Sequence, residues 1–538
     1  MQEVVSTMGA KPTFLRSFAD HIRIATPSLT EWLASLSTSL LLILSFPNFA
    51  LPILAWIALV PLLLAICRQP IPGRAFILGW TSGTVFFYVS CYWLTYSMIH
   101  YGGLPVLVSY LLLVPGAVVM GLFPGLFATV VALFLKRWGR LTLMLAPFVW
   151  ASTEWLRLGI TGQLWNALGY SQAGVLNNAL ILPAAWAGVY GVSFLILCAN
   201  AAIALIILER TIKASVISFA TLALIATILF VANNGRPAEV GRADSLYVVA
   251  VQPNVPMNLV KTVDEIKELL DRHLTLSKEG LNKLPVDGVP RLVIWPESPM
   301  NFSYATDREF QKLVSNFTTS NHTSLVLNSL EPAPNNGGYN SALLINEQGR
   351  LISQYDKIRL LPFGEYVPLP QWLPGASLIT GLVGDFTPGN RYTVMPVGKA
   401  RAGVFICIES AYPSIARRLS NEGADLLINI SNDGYLGPTA VMRQHLANAV
   451  FRAVESGREV LRVTNSGITA DIRQDGLVQQ PTEAFRPDIR TWKIDHTLKR
   501  DTFYVMYGDV FVECCAAITL IAVSLSLIGV RKRDRKLR

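Results

Sequence analysis

Ala402-Gly403-Val404-Phe405-Ile406-Cys407-Ile408-Glu409-Ser410 is the stretch that decides how the second half of this chain is read. A short apolar run that ends on a cysteine and is followed by an acid describes a strand covered on both faces, with a reactive group at its end. Cys407 is the only cysteine in the long polar region between the last two apolar blocks. The other five (Cys67, Cys91, Cys198, Cys514, Cys515) lie in or beside membrane-length apolar segments. A lone thiol has no partner in its own region, which excludes a disulfide framework there. Outside the cytoplasm, an unpaired cysteine points to reactivity. Taken alone, Cys407 reads more simply as a small buried residue at a strand end. Its surroundings decide otherwise.

Outward from Cys407, similar strands recur at Tyr247–Val251, Arg291–Trp295, Ser324–Asn328, Ala342–Ile345, Leu426–Ile430 and Val463–Ala470. Helix-like stretches lie between several of them, at Val263–Glu279, Asp307–Thr319, Tyr412–Glu422 and Thr439–Ser456. Alternation of this kind predicts a layered α/β domain. Asn335–Gly338 and Thr380–Asn390 read as loops, the second a candidate lid.

The first half is different. The chain is 52% hydrophobic and 15% charged over 538 residues, the composition of a polytopic membrane protein carrying one sizeable soluble domain. Apolar blocks fall at 29–46, 49–67, 75–99, 104–135, 141–158, 180–208, 215–232 and 511–530, each near the ~20 residues that span a bilayer. Block 104–135 contains Pro115 and Pro124 and could be one kinked pass or two short ones. Charge chooses one pass: the connections holding Arg68 and Arg74, then Lys136, Arg137 and Arg140, then Arg210 and Lys213 alternate with connections that hold no lysine or arginine. One-sided basic loops face the cytoplasm.

The expected organisation is therefore a cytoplasmic segment 1–28, helices 1–7 over 29–232, an extracytoplasmic domain over 233–509, an eighth helix over 510–530 and a basic cytoplasmic tail over 531–538. Residues 1–28 could form an interfacial helix. No small-residue cleavage site follows the first apolar block, which reads as a retained anchor. Much of the net charge of +9 sits in these flanks, where it orients helices and meets anionic lipid; it calls for no nucleic acid. Within the spans, Glu154 and Arg157 can pair at i,i+3, and no chain of buried acids or histidines suggests an ion path. Trp165, Tyr170, Tyr101 and Trp372 are expected at the membrane interface.

Three reactive residues occupy comparable places in the polar region. Glu297 follows Arg291–Trp295, Lys357 follows Leu351–Asp356, and Cys407 follows its own strand. Strand ends gather reacting groups in α/β sheets. A carboxylate can take the thiol proton and the thiolate can attack a carbonyl. An ammonium can then stabilise the oxyanion, helped by backbone N–H groups beyond the cysteine. Each residue alone is unremarkable: a glutamate after Trp-Pro or a lysine after Tyr-Asp is usually on the surface. The flanking words carry the case.

Trp295-Pro296-Glu297, Tyr355-Asp356-Lys357 with Leu361-Pro362-Phe363-Gly364-Glu365-Tyr366-Val367-Pro368, and Cys407-Ile408-Glu409 resemble the Glu–Lys–Cys signature of the nitrilase (carbon–nitrogen hydrolase) superfamily. Phe46–Phe49, Glu154–Arg157, Trp165–Gln172, Asn432–Tyr435 and Asn465–Ala470 extend the resemblance to its membrane branch, the apolipoprotein N-acyltransferases, over residues 40–530. The resemblance implies a polytopic α-helical bundle of about eight transmembrane helices carrying an extracytoplasmic nitrilase-like αββα sandwich, in the bacterial cytoplasmic (inner) membrane. It implies an acyl chain passed from a phospholipid, typically phosphatidylethanolamine, to the amine of a diacylglyceryl-cysteine apolipoprotein. Glu297 would be general base, Lys357 the oxyanion cation and Cys407 the thioester-forming nucleophile. Glu365 would hold Lys357, Glu409 would be a second supporting acid, and Ile408 would border the substrates. Two departures stand out: Ile408 occupies a position that is often aromatic, and Leu259-Val260-Lys261-Thr262 lacks the frequent Lys-Trp pair.

A membrane-anchored amidase using water with the same triad is the competing enzyme reading. A transporter or ligand sensor is the competing non-enzyme reading, opposed by the scarcity of intramembrane charge and by the complete triad. The histidines His273, His322, His445 and His496 lack ligand spacing, and neither a metal nor any other cofactor is expected.

Overall fold

Strands without polar alternation need cover on both faces, and the fold supplies it. The computed structural model describes residues 26–47, 49–174, 178–235, 245–257, 261–334, 337–362, 364–366, 386–495 and 501–536. Most of 1–28, part of the candidate lid, Asn335, Asn336, Phe363, Val367, Pro368, Trp372 and His496 thus lie outside the described residues.

The helical region contains α1 (Leu29–Ser45), α2 (Val60–Arg68), α3 (Pro72–Ser90), α4 (Leu94–His100), α5 (Val106–Trp138), α6 (Ala146–Thr161), α7 (Ala184–Leu208) and α8 (Ile212–Asn234). Block 104–135 forms the single helix α5, with Pro115 and Pro124 inside it. Prolines are tolerated in membrane helices where neighbouring helices or polar side chains can re-satisfy the freed backbone groups. Block 75–99 instead bends by 48° between α3 and α4. α5, α7, α8 and Val510–Ile528 are each long and apolar enough to cross a membrane, five spans if the bent pair counts as one; Leu29–Ser45 and Pro52–Arg68 are shorter apolar stretches. Length and composition thus carry four or five of the eight expected spans among the described residues. Glu154 and Arg157 are buried, but they do not bond each other. Glu154 Oε1 accepts from Trp150 Nε1 and Leu168 N, while Arg157 donates to the Trp165 carbonyl.

The second half holds strands β1 (Ser245–Gln252), β2 (Arg291–Ile294), β3 (Ser324–Pro332), β4 (Gly338–Ile345), β5 (Leu351–Asp356), β6 (Val394–Val397), β7 (Ala400–Ile406), β8 (Leu426–Ser431), β9 (Glu459–Thr464), β10 (Ala470–Ile472), β11 (Val478–Gln479) and β12 (Asp488–Asp495). Its helices are α9 (Val263–Asn282), α10 (Arg308–Asn321), α11 (Pro413–Asn421) and α12 (Val441–Ser456). After them come α13 (Phe503–Tyr507) and α14 (Val510–Lys536). The expected strand 463–470 is split into β9 and β10 by the turn at Asn465–Thr469, and β6, β11 and β12 were not foreseen.

The strands form two six-stranded sheets, β12-β1-β2-β3-β4-β5 and β11-β10-β9-β8-β7-β6. Val248, Ile294 and Leu344 of the first sheet meet Val404, Ile406 and Ile428 of the second in one apolar cluster. The outer face of the first sheet packs on Leu281 of α9 and Phe310, Val314 and Phe317 of α10. α11 and α12 cover the second sheet, giving the αββα order. Their apolar side chains run on into the helical region: Ile415, Leu419, Val450 and Phe451 share one cluster with Tyr170, Val189 and Ile196. Trp165 and Tyr170, expected at a lipid interface, are instead buried in this joint, because their polar tips find protein partners there.

Candidate active site

β2, β5 and β7 each deliver one reactive residue just past a strand end. Glu297 sits three residues beyond β2, Lys357 is the residue after β5, and Cys407 is the residue after β7. Lys357 is buried almost completely. Its Nζ lies 2.8 Å from Glu365 Oε1 and 3.5 Å from Glu297 Oε1. Its main chain is pinned as well: its N–H donates to the Asn340 carbonyl at 2.8 Å and its carbonyl accepts from Gly389 N at 2.8 Å. Burial alone would lower the ammonium's pKa, but the carboxylates of Glu297 and Glu365 outweigh it and raise it above the ordinary lysine range. The side chain is a fixed cation.

Cys407 opens a short 3-10 turn, Cys407–Ala411, and is partly exposed. Its φ is +51°, in the left-handed region that residues with a Cβ rarely adopt. The backbone thus turns sharply at the thiol, a form of strain that concentrates at functional sites. Burial, followed by the Glu297 carboxylate, raises the thiol's pKa well above the usual thiol range; Lys357 opposes them. The resting group is a thiol, and it needs a base to become a nucleophile.

Glu365 Oε1 accepts from Lys357 Nζ at 2.8 Å. Its other oxygen accepts from Leu361 N at 2.7 Å, which ties the Leu361–Glu365 turn to the lysine. Glu409 is fully buried, and donors surround it. Ile358 N and Arg359 N donate to Oε1 at 2.8 and 3.0 Å, Ile406 N donates to Oε2 at 2.7 Å, and Tyr355 OH reaches both oxygens at 2.9 Å. Glu409 thus binds the strand end carrying Cys407 to the segment after Lys357. Burial raises its carboxyl to about 6 against the pull of those backbone donors. The Ile408 side chain is buried in the apolar cluster that continues into the helical region.

Other residues complete the site; of these, the sequence reading passed over Asn340 and Asn328 and quoted Asn432 only as part of a family word. Asn340, inside β4, donates from Nδ2 to Glu297 Oε1 at 2.9 Å and to Glu365 Oε1 at 2.8 Å. Asn328 fixes the Asn340 amide by donating to its Oδ1 at 2.7 Å. Asn432 N donates to Glu297 Oε2 at 3.1 Å. Asparagines buried in otherwise apolar strands were the available signal, since a buried amide must find partners. Among the described residues no group of acids, histidines and cysteines has metal-binding geometry.

Residues 38–202 match the apolipoprotein N-acyltransferase N-terminal domain and residues 248–498 the carbon-nitrogen hydrolase domain. The chain is 32% identical over 527 residues to an apolipoprotein N-acyltransferase of Geobacter metallireducens, covering 94% of this chain and 98% of that protein. It is 30% identical over 528 residues to that of Thermotoga maritima, covering 93% and 94%. Among solved structures it is similar to Nit3 of Saccharomyces cerevisiae, a nitrilase-superfamily member, at 18% identity and a TM-score of 0.37 over 47% of this chain and 91% of that one. With both domain matches and full-length relatives in agreement, this chain belongs to the apolipoprotein N-acyltransferase family.

Proposed function

We propose that this protein moves an acyl chain from a membrane phospholipid, phosphatidylethanolamine foremost, through a thioester on Cys407 to the amine of a diacylglyceryl-cysteine apolipoprotein. The observation that carries the reading is the lysine held between two carboxylates, with Glu297, Lys357 and Cys407 each delivered just past a strand end. In this reading Glu297 takes the thiol proton and the thiolate attacks the donor ester carbonyl. The C–S bond forms, and the oxyanion meets Lys357. Collapse breaks the ester C–O bond, and the lysophospholipid oxygen leaves with the proton that Glu297 held. The lipoprotein amine then attacks the thioester, Glu297 accepts its proton, and the sulfur leaves and is reprotonated.

The helical region holds a small cavity lined mainly by apolar side chains, Leu42, Phe46, Phe86, Phe87 and Phe123 among them, with Glu154, Arg157 and Asn166 also on its wall. The accompanying topology is eight passes with both termini cytoplasmic, residues 233–509 outside as the catalytic domain, and the bacterial inner membrane as host. The basic loops support it.

The test incubates the solubilised protein with phosphatidylethanolamine bearing a labelled acyl chain, beside Cys407→Ala. A hydroxylamine-sensitive label in the wild type alone, passed on to a diacylglyceryl-cysteine peptide, is the expected result. A label released only as free fatty acid would make the protein a hydrolase. No label on Cys407 would end the acyl-enzyme reading.

A further inference from the structure

Two consecutive residues of α12 face opposite halves of the molecule. Gln444 is buried, and its amide is fully committed to the helical region. Its Oε1 accepts from Trp93 Nε1 at 3.0 Å and from Trp165 Nε1 at 2.8 Å, and its Nε2 donates to the carbonyls of Pro47 and Ser90, each at 3.1 Å. His445 faces the site. Its Nε2 donates to the Cys407 carbonyl at 3.0 Å, and its Nδ1 meets Asp433 Oδ1 at 2.8 Å. Asp433 is held in turn by Arg462 at 2.7 Å and by Ser431 Oγ at 3.0 Å, all of them buried. The Asn429 amide also points at the Cys407 carbonyl, but at 3.5 Å, so His445 makes the shorter bond. The Trp165 ring, bonded to Gln444, lies 5.6 Å from the His445 ring. Two turns further along α12, Arg452 repeats the arrangement, donating to the Ser410 carbonyl at 3.0 Å and to Tyr170 OH at 3.2 Å.

The left-handed backbone at Cys407 persists only if its surroundings hold it. A histidine on the carbonyl of that same residue is placed to do so. We propose that His445 is a positioning residue for Cys407, and that the Gln444–His445 pair is the strut through which the helical region fixes the orientation of the thiol. The inference rests on the acyl-transfer reading above and adds to it a mechanical link between the lipid-facing half and the reacting atom. It requires that Gln444 act on the reaction only through His445.

The test uses the full-length protein in detergent and two readouts: thioester formation from labelled phosphatidylethanolamine, and iodoacetamide alkylation of Cys407 followed on its own peptide by mass spectrometry. His445→Ala is expected to slow thioester formation about 10²-fold, the cost of an ångström-scale misplacement, with the half-saturating phospholipid concentration unchanged. His445→Gln, whose amide can donate to the same carbonyl, should recover most of that loss. Gln444→Leu should slow the step less, and should add nothing in the His445→Ala background. Wild-type rates in His445→Ala, equal losses in the Ala and Gln variants, or additive losses in the double variant would each overturn the proposal. If His445→Ala does not fold, Gln444→Leu decides: a reduced maximal rate at unchanged half-saturation supports the strut, and wild-type kinetics overturn it. A wild-type protein that forms no thioester overturns only the acyl-transfer reading. The alkylation rates then judge the strut, with slower alkylation in His445→Ala expected and an unchanged rate fatal to it.

Discussion

Lys357 makes its short ion pair with Glu365, at 2.8 Å, and stands 3.5 Å from Glu297. The division matters because a carboxylate locked onto an ammonium is a poor proton acceptor. Glu365 satisfies the cation, and the Asn340 amide holds both carboxylates in place. Glu365→Gln should leave Glu297 as the one anionic partner of Lys357 and draw it into that pair. We expect thioester formation to fall by about 10²-fold, the lower end of what a general base contributes. Stability should fall by less than the roughly 3 kcal/mol of an uncompensated buried charge, since Glu297 remains to pair with Lys357. Single-turnover acylation and thermal melting measure the two effects. An unchanged acylation rate would show that Glu365 has no bearing on the base.

The Cys407 thiol feels its two charged neighbours with opposite sign. Burial and the Glu297 carboxylate raise its pKa, and the Lys357 ammonium lowers it. Iodoacetamide reacts with the thiolate alone, so the pH midpoint of alkylation reports the balance. Lys357→Met should move that midpoint to higher pH, and Glu297→Gln should move it to lower pH. Enzymatic acylation should fall in both, because the proposed mechanism uses Lys357 as the oxyanion cation and Glu297 as the base. Midpoints that move in the same direction would contradict the arrangement.

Glu409 offers a stability measurement. Its folded carboxyl titrates near 6 against an ordinary 4.5, with burial as the main cause. Between these values the folded protein keeps a proton that the unfolded chain has released. The group's contribution is therefore fully present below about pH 4.5 and is lost as pH rises through about 6, by roughly 2 kcal/mol. Glu409→Gln removes this titration and turns an amide N–H₂ toward backbone donors, which costs about 1–3 kcal/mol. The wild type should melt higher than the variant, and the gap should narrow from pH 4.5 to 7. A gap that widens over that range would refute the assignment.

The apolar strands and the four helices between them could be read directly, because burial on both faces leaves local marks in sequence, whereas Glu297, Lys357 and Cys407 were singled out by their flanking words and not by residue type. The single helix over block 104–135 followed from charge, since a second break would have placed Lys136 and Arg137 on the wrong side. What escaped reading depends on tertiary pairing. β12 joins β1 antiparallel from more than two hundred residues away, as Val248 opposite Trp492 illustrates. Asn340, Asp433 and His445 gain meaning only when β4, the Asn432–Leu436 turn and α12 converge on one cysteine. Trp165 and Tyr170 looked like lipid-facing aromatics because the sequence does not reveal that α12 comes down on them.

The joint between the two halves rests on Arg452, whose guanidinium is fully buried and lies 2.8 Å from Glu455 Oε2. Glu455 Oε1 accepts from Val189 N of α7 at 2.9 Å, so the pair bridges α12 to the helical region. Burial raises the Glu455 carboxyl to about 7 although Arg452 pulls it down. Tyr170→Phe removes one neutral partner of Arg452 and should cost about 1 kcal/mol. Arg452→Met removes the cation that lowers the Glu455 carboxyl, so well above pH 7 it strands a buried carboxylate at a cost of up to about 3–5 kcal/mol, and near pH 7 the carboxyl takes up a proton and the cost is smaller. Glu455→Gln in the Arg452→Met background should recover much of that loss, because the uncompensated charge is gone. Thermal unfolding of the three variants and the double variant measures the series. Should the double variant be no more stable than Arg452→Met, the loss comes from the Ser410 and Tyr170 hydrogen bonds and not from the stranded charge.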